Sequence, residues 1–145
     1  ADLKGFSFSR EDVDARSLAN QYAQMLGQVF THEMKPMEVE ILVAEVGQRA
    51  EDDHLFHILY DGTVIDEDGT CVLGGEADAI SARLENAWER GAGLRSALGA
   101  AVGALEGPER TLGAADLEVA VLDRANGRRM FRRIEDDEVA SLLAD

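Results

Sequence analysis

The chain has 145 residues, 46% of them apolar and 30% charged, a composition that suits one domain with one core rather than a disordered polymer. Its 14 basic and 29 acidic residues leave a net charge of −15, which opposes nucleic acid and anionic membrane faces, because affinity there rests on Lys and Arg releasing counterions. No apolar run approaches the ~20 residues of a membrane span, "ADLKGFSFSRED" holds no apolar signal region, and the lone Cys71 cannot close an internal disulfide, so a cytosolic protein is expected.

Ser9 and Asp12 form a helix-capping pattern, with Glu11 a second acid in the first turn. Val13, Leu18, Tyr22, Met25, Leu26, Val29 and Phe30 then recur at helical spacing on one broad face, and Leu18, Tyr22, Met25, Leu26 and Phe30 are expected to pack on a sheet. Pro36 closes that segment. "MEVEILVAEVG" alternates through Met37, Val39, Ile41 and Val43, the pattern of a strand with one wet face. "HLFHILY" predicts a second strand, and Asp61-Gly62 a tight turn into a third, "TVIDE". "TCVLGG" predicts a fourth short strand, buried in character.

Two helices follow, marked by Ile80, Leu84, Ala87 and Trp88 and then by Leu94, Leu98, Ala101, Val102 and Leu105. Gly91 and Gly93 separate them and Gly107-Pro108 ends the pair. "LEVAVLD" alternates through Leu117, Val119 and Val121, Ala125-Asn126-Gly127 predicts a hairpin, and "RRMFRRI" returns as its partner strand. Asp137 is expected to cap a last short helix carrying Val139, Leu142 and Leu143. The order α-ββββ-αα-ββ-α predicts an α/β (α+β) fold with mostly antiparallel sheets and helices outside.

Four features could carry chemistry. A calcium loop that uses Asp66, Asp68 and Gly69 as its third, fifth and sixth positions puts Val64 first and Gly75 twelfth, where oxygen ligands are needed, so a solvated turn fits better. Gly74-Gly75 could open a phosphate cradle, but no G-x-G-x-x-G or P-loop lysine accompanies it, and Glu76 and Asp78 already occupy the positive end of the helix. His54 and His57 sit three apart on a strand, hence on opposite faces; His32 suits a helix C-terminus; Cys71 reads as a small core residue; no Cys/His cluster of zinc type emerges. Arg128, Arg129, Arg132 and Arg133 on one strand could dock an acidic partner, but neutralising their own acidic body explains them better. No catalytic constellation, metal ligand set or cofactor site is read from the residues.

"LANQYAQMLGQVFTHEMKPMEVEILVAEV", with Gln28, Phe30, Thr31 and Pro36, resembles the α-type subunits of 20S proteasomes, where a long helix ends in a Gln-x-Phe/Tyr-Thr element before a proline and a strand. "LFHILYDGTV", "CVLGGEADAISARLENAW" and "LEVAVLDRANGRRMFRRIEDDEVASLL" match the family's hairpin, its strand-glycine-helix unit and its closing hairpin and helix. "REDVDARSLANQYAQMLG" and "TLGAADLEVAVLD" resemble the actinobacterial branch most. The likeness covers essentially the whole chain, but only the C-terminal part of a family member, roughly three-fifths of it, and Glu38 departs from the small residue many α subunits carry near the proline.

The resemblance implies a four-layer αββα sandwich of the N-terminal-nucleophile hydrolase class, incomplete at the N-terminus, with residues 1–145 the C-terminal part of that domain. It implies a subunit without the nucleophile, in a heptameric cytoplasmic ring that caps the catalytic β ring, gates substrates and receives AAA+ unfoldase activators. In actinobacteria such substrates often carry a ubiquitin-like tag. Expected partners are other α subunits, β subunits and the activator ring, with no cofactor, nucleic acid or membrane. The turn entering the first helix then faces a neighbouring subunit through Lys4, Phe6, Arg10, Arg16 and Asn20. The alternatives are a catalytic β-type threonine peptidase subunit of the same fold and a free-standing acidic ligand-binding domain. The Phe30-Thr31 element and Pro36 favour the α type.

Overall fold

The computed structural model describes residues 13–32 and 38–144. It divides into two units, Ala1–Cys71 and Val72–Asp145, each with its own cluster of buried side chains. The secondary structure is mixed α+β, and every strand pairing among the described residues is antiparallel.

In the first unit, helix α1 (Ala15–His32) covers a sheet of β1 (Ile41–Glu45), β2 (His54–Ile58) and β3 (Val64–Asp66) in the order β1-β2-β3. Asp14 caps the helix: its carboxylate accepts the Ser17 N–H at 2.6 Å and its carbonyl accepts the Leu18 N–H. The expected Ser9 and Asp12 cap, like Pro36 and Met37, lies outside the described residues. The Ala15 N–H also reaches Glu45 at 3.1 Å, which ties the helix start to the end of β1.

The buried stripe of α1 is Ala15, Ala19 and Leu26, with Tyr22 and Ala23 partly buried beside it. Spacings of four, three and four put these on one face. The expectation for Tyr22 and Leu26 holds, but Met25 and Phe30 stay 48% and 45% exposed. The contact face is built on Ala15, Ala19 and Leu26, the alanines letting helix and sheet approach, while Met25 and Phe30 fall to its flank. From the sheet, Phe56, Ile58, Ile41, Val43 and Val64 meet it. The register opposes Val43 to Phe56 and Ile41 to Ile58, so the inward residues of neighbouring strands coincide.

At the β2–β3 turn the Gly62 N–H donates to the Leu59 carbonyl, and Asp61 accepts the Thr63 N–H at 2.9 Å. Gly62 has φ +88°, and a Cβ there would lie 2.5 Å from the Ala23 carbonyl oxygen of α1. The turn packs on helix backbone, so only glycine fits. The fourth strand expected at "TCVLGG" is not a strand: residues 70–73 are irregular and Leu73 is 37% exposed.

The second unit contains α2 (Ala77–Ala87), α3 (Leu94–Glu106), the hairpin β4 (Val119–Leu122) and β5 (Phe131–Ile134), and α4 (Asp136–Leu143). Leu98, Val102, Ile134 and Val139 form its centre, with Leu117, Val119 and Val121 against them. Gly107 ends α3 at φ +59°. The hairpin turns through Arg124–Asn126 into Gly127 at φ +63°, with Asp123 accepting the Ala125 N–H at 2.8 Å. Glu135, not Asp137, precedes the last helix, and Asp137 lies inside its first turn, where Asp136, Asp137 and Glu138 together complement the helix dipole. At its other end Arg95 donates to the Ser141 and Ala144 carbonyls.

Candidate functional site

Of the expected interface residues, Lys4, Phe6 and Arg10 lie outside the described residues. Arg16 and Asn20 are exposed on successive turns of α1, on one face. Arg16 lies 3.6 Å from Asp66 of β3, and its guanidinium sits 5.0 Å from the Phe56 ring centroid. Both members of the ion pair are more than half exposed, so it adds little stability. Later on the same helix, Phe30 meets Tyr60 edge to face at 5.8 Å, both rings nearly half exposed.

The charged features of the second unit are largely satisfied within it. Arg83 donates to the Ala104 carbonyl and Arg110 twice to the Leu105 carbonyl, so both hold the C-terminal end of α3. They line a groove of about 270 Å³ with Glu76, Glu106 and Glu109. Of the four arginines expected on one strand, only Arg132 and Arg133 lie on β5. Arg132 makes a bidentate pair with Glu138, and Arg133 reaches Glu118 at 2.8 Å. The Arg132 pair holds the Glu138 carboxyl below its ordinary value and raises the guanidinium. Gly74, at φ +121°, turns into the α2 N-terminus, which already carries Glu76 and Asp78.

One convergence was not expected. His54 and His57 do lie on opposite faces of β2, but His57 is not alone on its face. Leu42 on β1 and Ile65 on β3 are its cross-strand neighbours. Continuing the two-residue alternation puts Glu40 and Glu67 on that face as well. His57 Nε2 lies 2.7 Å from Glu40 Oε2 and Nδ1 lies 3.3 Å from Glu67 Oε1, with the imidazole only 12% exposed. The Glu67 N–H donates to the Leu55 carbonyl, which extends the β2–β3 ladder and fixes the carboxylate beside the ring.

Cys71, expected as a core residue on a strand, sits half-buried in the irregular segment after β3. Ligand atoms of His57, Glu67 and Cys71 all fall within 4.8 Å of one another. Burial pushes the Cys71 thiol up, and the carboxylates of Glu67 and Glu40 push it further. Spacing rules for paired cysteines or histidines miss this group, because it is assembled by strand register. Alternation counted outward from His57 on a β-hairpin would have found Glu40 and Glu67; Cys71 has no such signal.

The family model described as "Proteasome subunit" matches residues 4–122. The chain is 57% identical to the "Proteasome subunit alpha" of Acidimicrobium ferrooxidans, over 100% of its own length and 62% of that protein's. It is 50% identical to that of Kineococcus radiotolerans, over 99% of the chain and 65% of the relative. With the alpha subunit of Saccharopolyspora erythraea, also 50% identical, the shares are 99% and 57%. The chain thus spans about three-fifths of the length of the curated relatives it matches.

Proposed function

The chain belongs to the proteasome subunit family, with actinobacterial alpha subunits as its relatives, and on that premise we propose that it is a non-catalytic structural subunit of a proteasome α ring. The observation that carries this is likeness to alpha subunits along the full chain, at up to 57% identity. In this reading the subunit occupies a heptameric cytoplasmic ring, stacks on catalytic β subunits, helps gate substrates and offers a surface to an AAA+ unfoldase. The Ntn-hydrolase sandwich belongs to the same proposal, and it is supported by two units that each set helix against antiparallel sheet. The exposed Phe30–Tyr60 pair and the open apolar side chains Leu42 and Phe131 suit a protein that buries more surface on assembly.

The face bearing Arg16 and Asn20, with Lys4, Phe6 and Arg10 before it, is the proposed contact with a neighbouring subunit. The test grafts residues 1–145 into the matching region of the Acidimicrobium ferrooxidans alpha subunit and co-expresses the chimera with β subunits. Native mass spectrometry should show closed rings, with peptide hydrolysis lost only when the β nucleophile is removed. Exclusion of the chimera from α rings, with incorporation into the β rings instead, would replace this reading with the β-type one. Arg16→Glu in the chimera should impair association with β while leaving the melting temperature of the subunit nearly unchanged, because the Asp66 pair it breaks is solvent-exposed. Full assembly of the Arg16→Glu chimera would remove the interface assignment and leave the ring assignment standing.

A further inference from the structure

We propose that His57, Glu67 and Cys71 form a binding site for a divalent transition metal, Zn²⁺ being the ion that suits the donors, with Glu40 orienting the imidazole. The three residues offer one nitrogen, one oxygen and one sulfur atom, all within 4.8 Å of one another. Tetrahedral zinc, with bonds of about 2.0–2.3 Å, sets its ligand atoms roughly 3.3–3.8 Å apart. Side-chain torsions must therefore draw the group in by about an ångström. Cys71 lies in an irregular segment, where no strand pairing opposes that movement. A thiolate-containing set favours Zn²⁺ over Mg²⁺ or Ca²⁺, which take all-oxygen shells.

The tautomer follows from the second carboxylate. Glu40 Oε2, 2.7 Å from His57 Nε2, accepts that N–H and leaves the Nδ1 lone pair aimed toward Glu67 and Cys71. A carboxylate that accepts the far N–H of a ligating histidine is the usual outer partner of such a metal ligand. Three protein ligands leave a fourth position for water. The two carboxylates that flank the ring also supply negative charge that a cation neutralises.

A metal-free reading exists: a doubly protonated His57 bonded to Glu40 and Glu67. It explains the two contacts of the ring, and in it the Cys71 thiol donates a hydrogen bond to the Glu67 carboxylate.

The two readings separate with Co²⁺ as probe. Reduced, chelator-stripped full chain is titrated with Co²⁺ near neutral pH. The proposal expects saturation at one equivalent, a sulfur-to-cobalt charge-transfer band in the near ultraviolet, intense visible absorption of tetrahedral type, and loss of both on adding Zn²⁺. Cys71→Ser should abolish the charge-transfer band and Glu67→Gln should weaken binding strongly. Glu40→Gln should keep the band but lower affinity about 10–100-fold, as outer partners do. Zn²⁺ should also raise the melting temperature of the wild type and not that of Cys71→Ser, since a ligand of the native state stabilises it by mass action. Absence of the thiolate band in the saturated wild type, or equal Co²⁺ affinity in wild type and Cys71→Ser, would overturn the site. Should Cys71→Ser fail to fold by circular dichroism, the wild-type band and the Glu67→Gln titration decide the matter alone.

Discussion

At the scale of single residues, the β2–β3 turn shows how one position can be determined twice. Gly62 needs its positive φ, and the Ala23 carbonyl leaves no room for a Cβ. Gly62→Ala should therefore combine left-handed strain with overpacking, a loss of about 2–4 kcal/mol in urea unfolding. Loss under half a kcal/mol would mean that turn and helix do not touch. The adjacent Asp61 gives the turn a pH dependence. Its carboxylate accepts hydrogen bonds from the backbone and side chain of Thr63, which hold it below its ordinary value. A depressed folded-state value means the stabilisation is complete above the ordinary carboxylate range and is lost as pH falls through the folded value. Asp61→Ala should thus be less stable than wild type near neutrality, and the gap should close toward acid. A gap independent of pH would show that the charge contributes nothing. The Arg132–Glu138 pair has the same sign on its acidic side.

At the scale of elements, strands and helices with strong periodicity were legible. "HLFHI", "VAVL" and "FRRI" are strands, and the four α-helices among the described residues lie where apolar spacing puts them. What failed was local detail that packing decides. "TCVLGG" has strand-like residues, but nothing among the described residues pairs with it, so its composition alone does not make a ladder. Asp137 looked like a cap because it precedes an apolar run, yet the helix begins earlier, at Asp136. The His57 group was invisible because its members come from three places joined only by register and a loop. Helix α1 gives the sharpest test. Its large apolar residues span a face wider than the sheet can cover, and Ala15, Ala19 and Leu26 take the buried stripe. Leu26, 1% exposed, should cost about 2–5 kcal/mol on replacement by alanine. Met25→Ala, at a site 48% exposed, should stay near the half kcal/mol usual for surface positions. Equal costs would mean the helix is rotated from the register described.

At the scale of the whole molecule, charge and open sheet edges pull in opposite directions. Among the described residues β1 and β3 each pair only with β2, and β4 pairs only with β5, so outward backbone groups remain available in both units. Apolar side chains stand exposed near them: Leu42 at 41%, Ile65 at 37% and Phe131 at 65%. Such edges recruit other strands, and apolar surface of this kind promotes association. The net charge of −15 resists it by repulsion between copies. Repulsion between surface charges is long-ranged and screened, with a Debye length of about 10 Å at 0.1 M salt and 3 Å at 1 M. Strand pairing and apolar burial act at contact and are not screened. The balance should therefore tip with ionic strength: the isolated 145-residue chain should be most dispersed at low salt and should self-associate as salt rises. Light scattering and sedimentation across a salt series read this directly. Because the attraction lies in edges and apolar patches, Leu42→Lys and Phe131→Lys should delay association even though each lowers the net negative charge that opposes it. A salt-independent monomer, or a variant that associates sooner in proportion to its reduced charge, would show that these surfaces do not drive contact between copies.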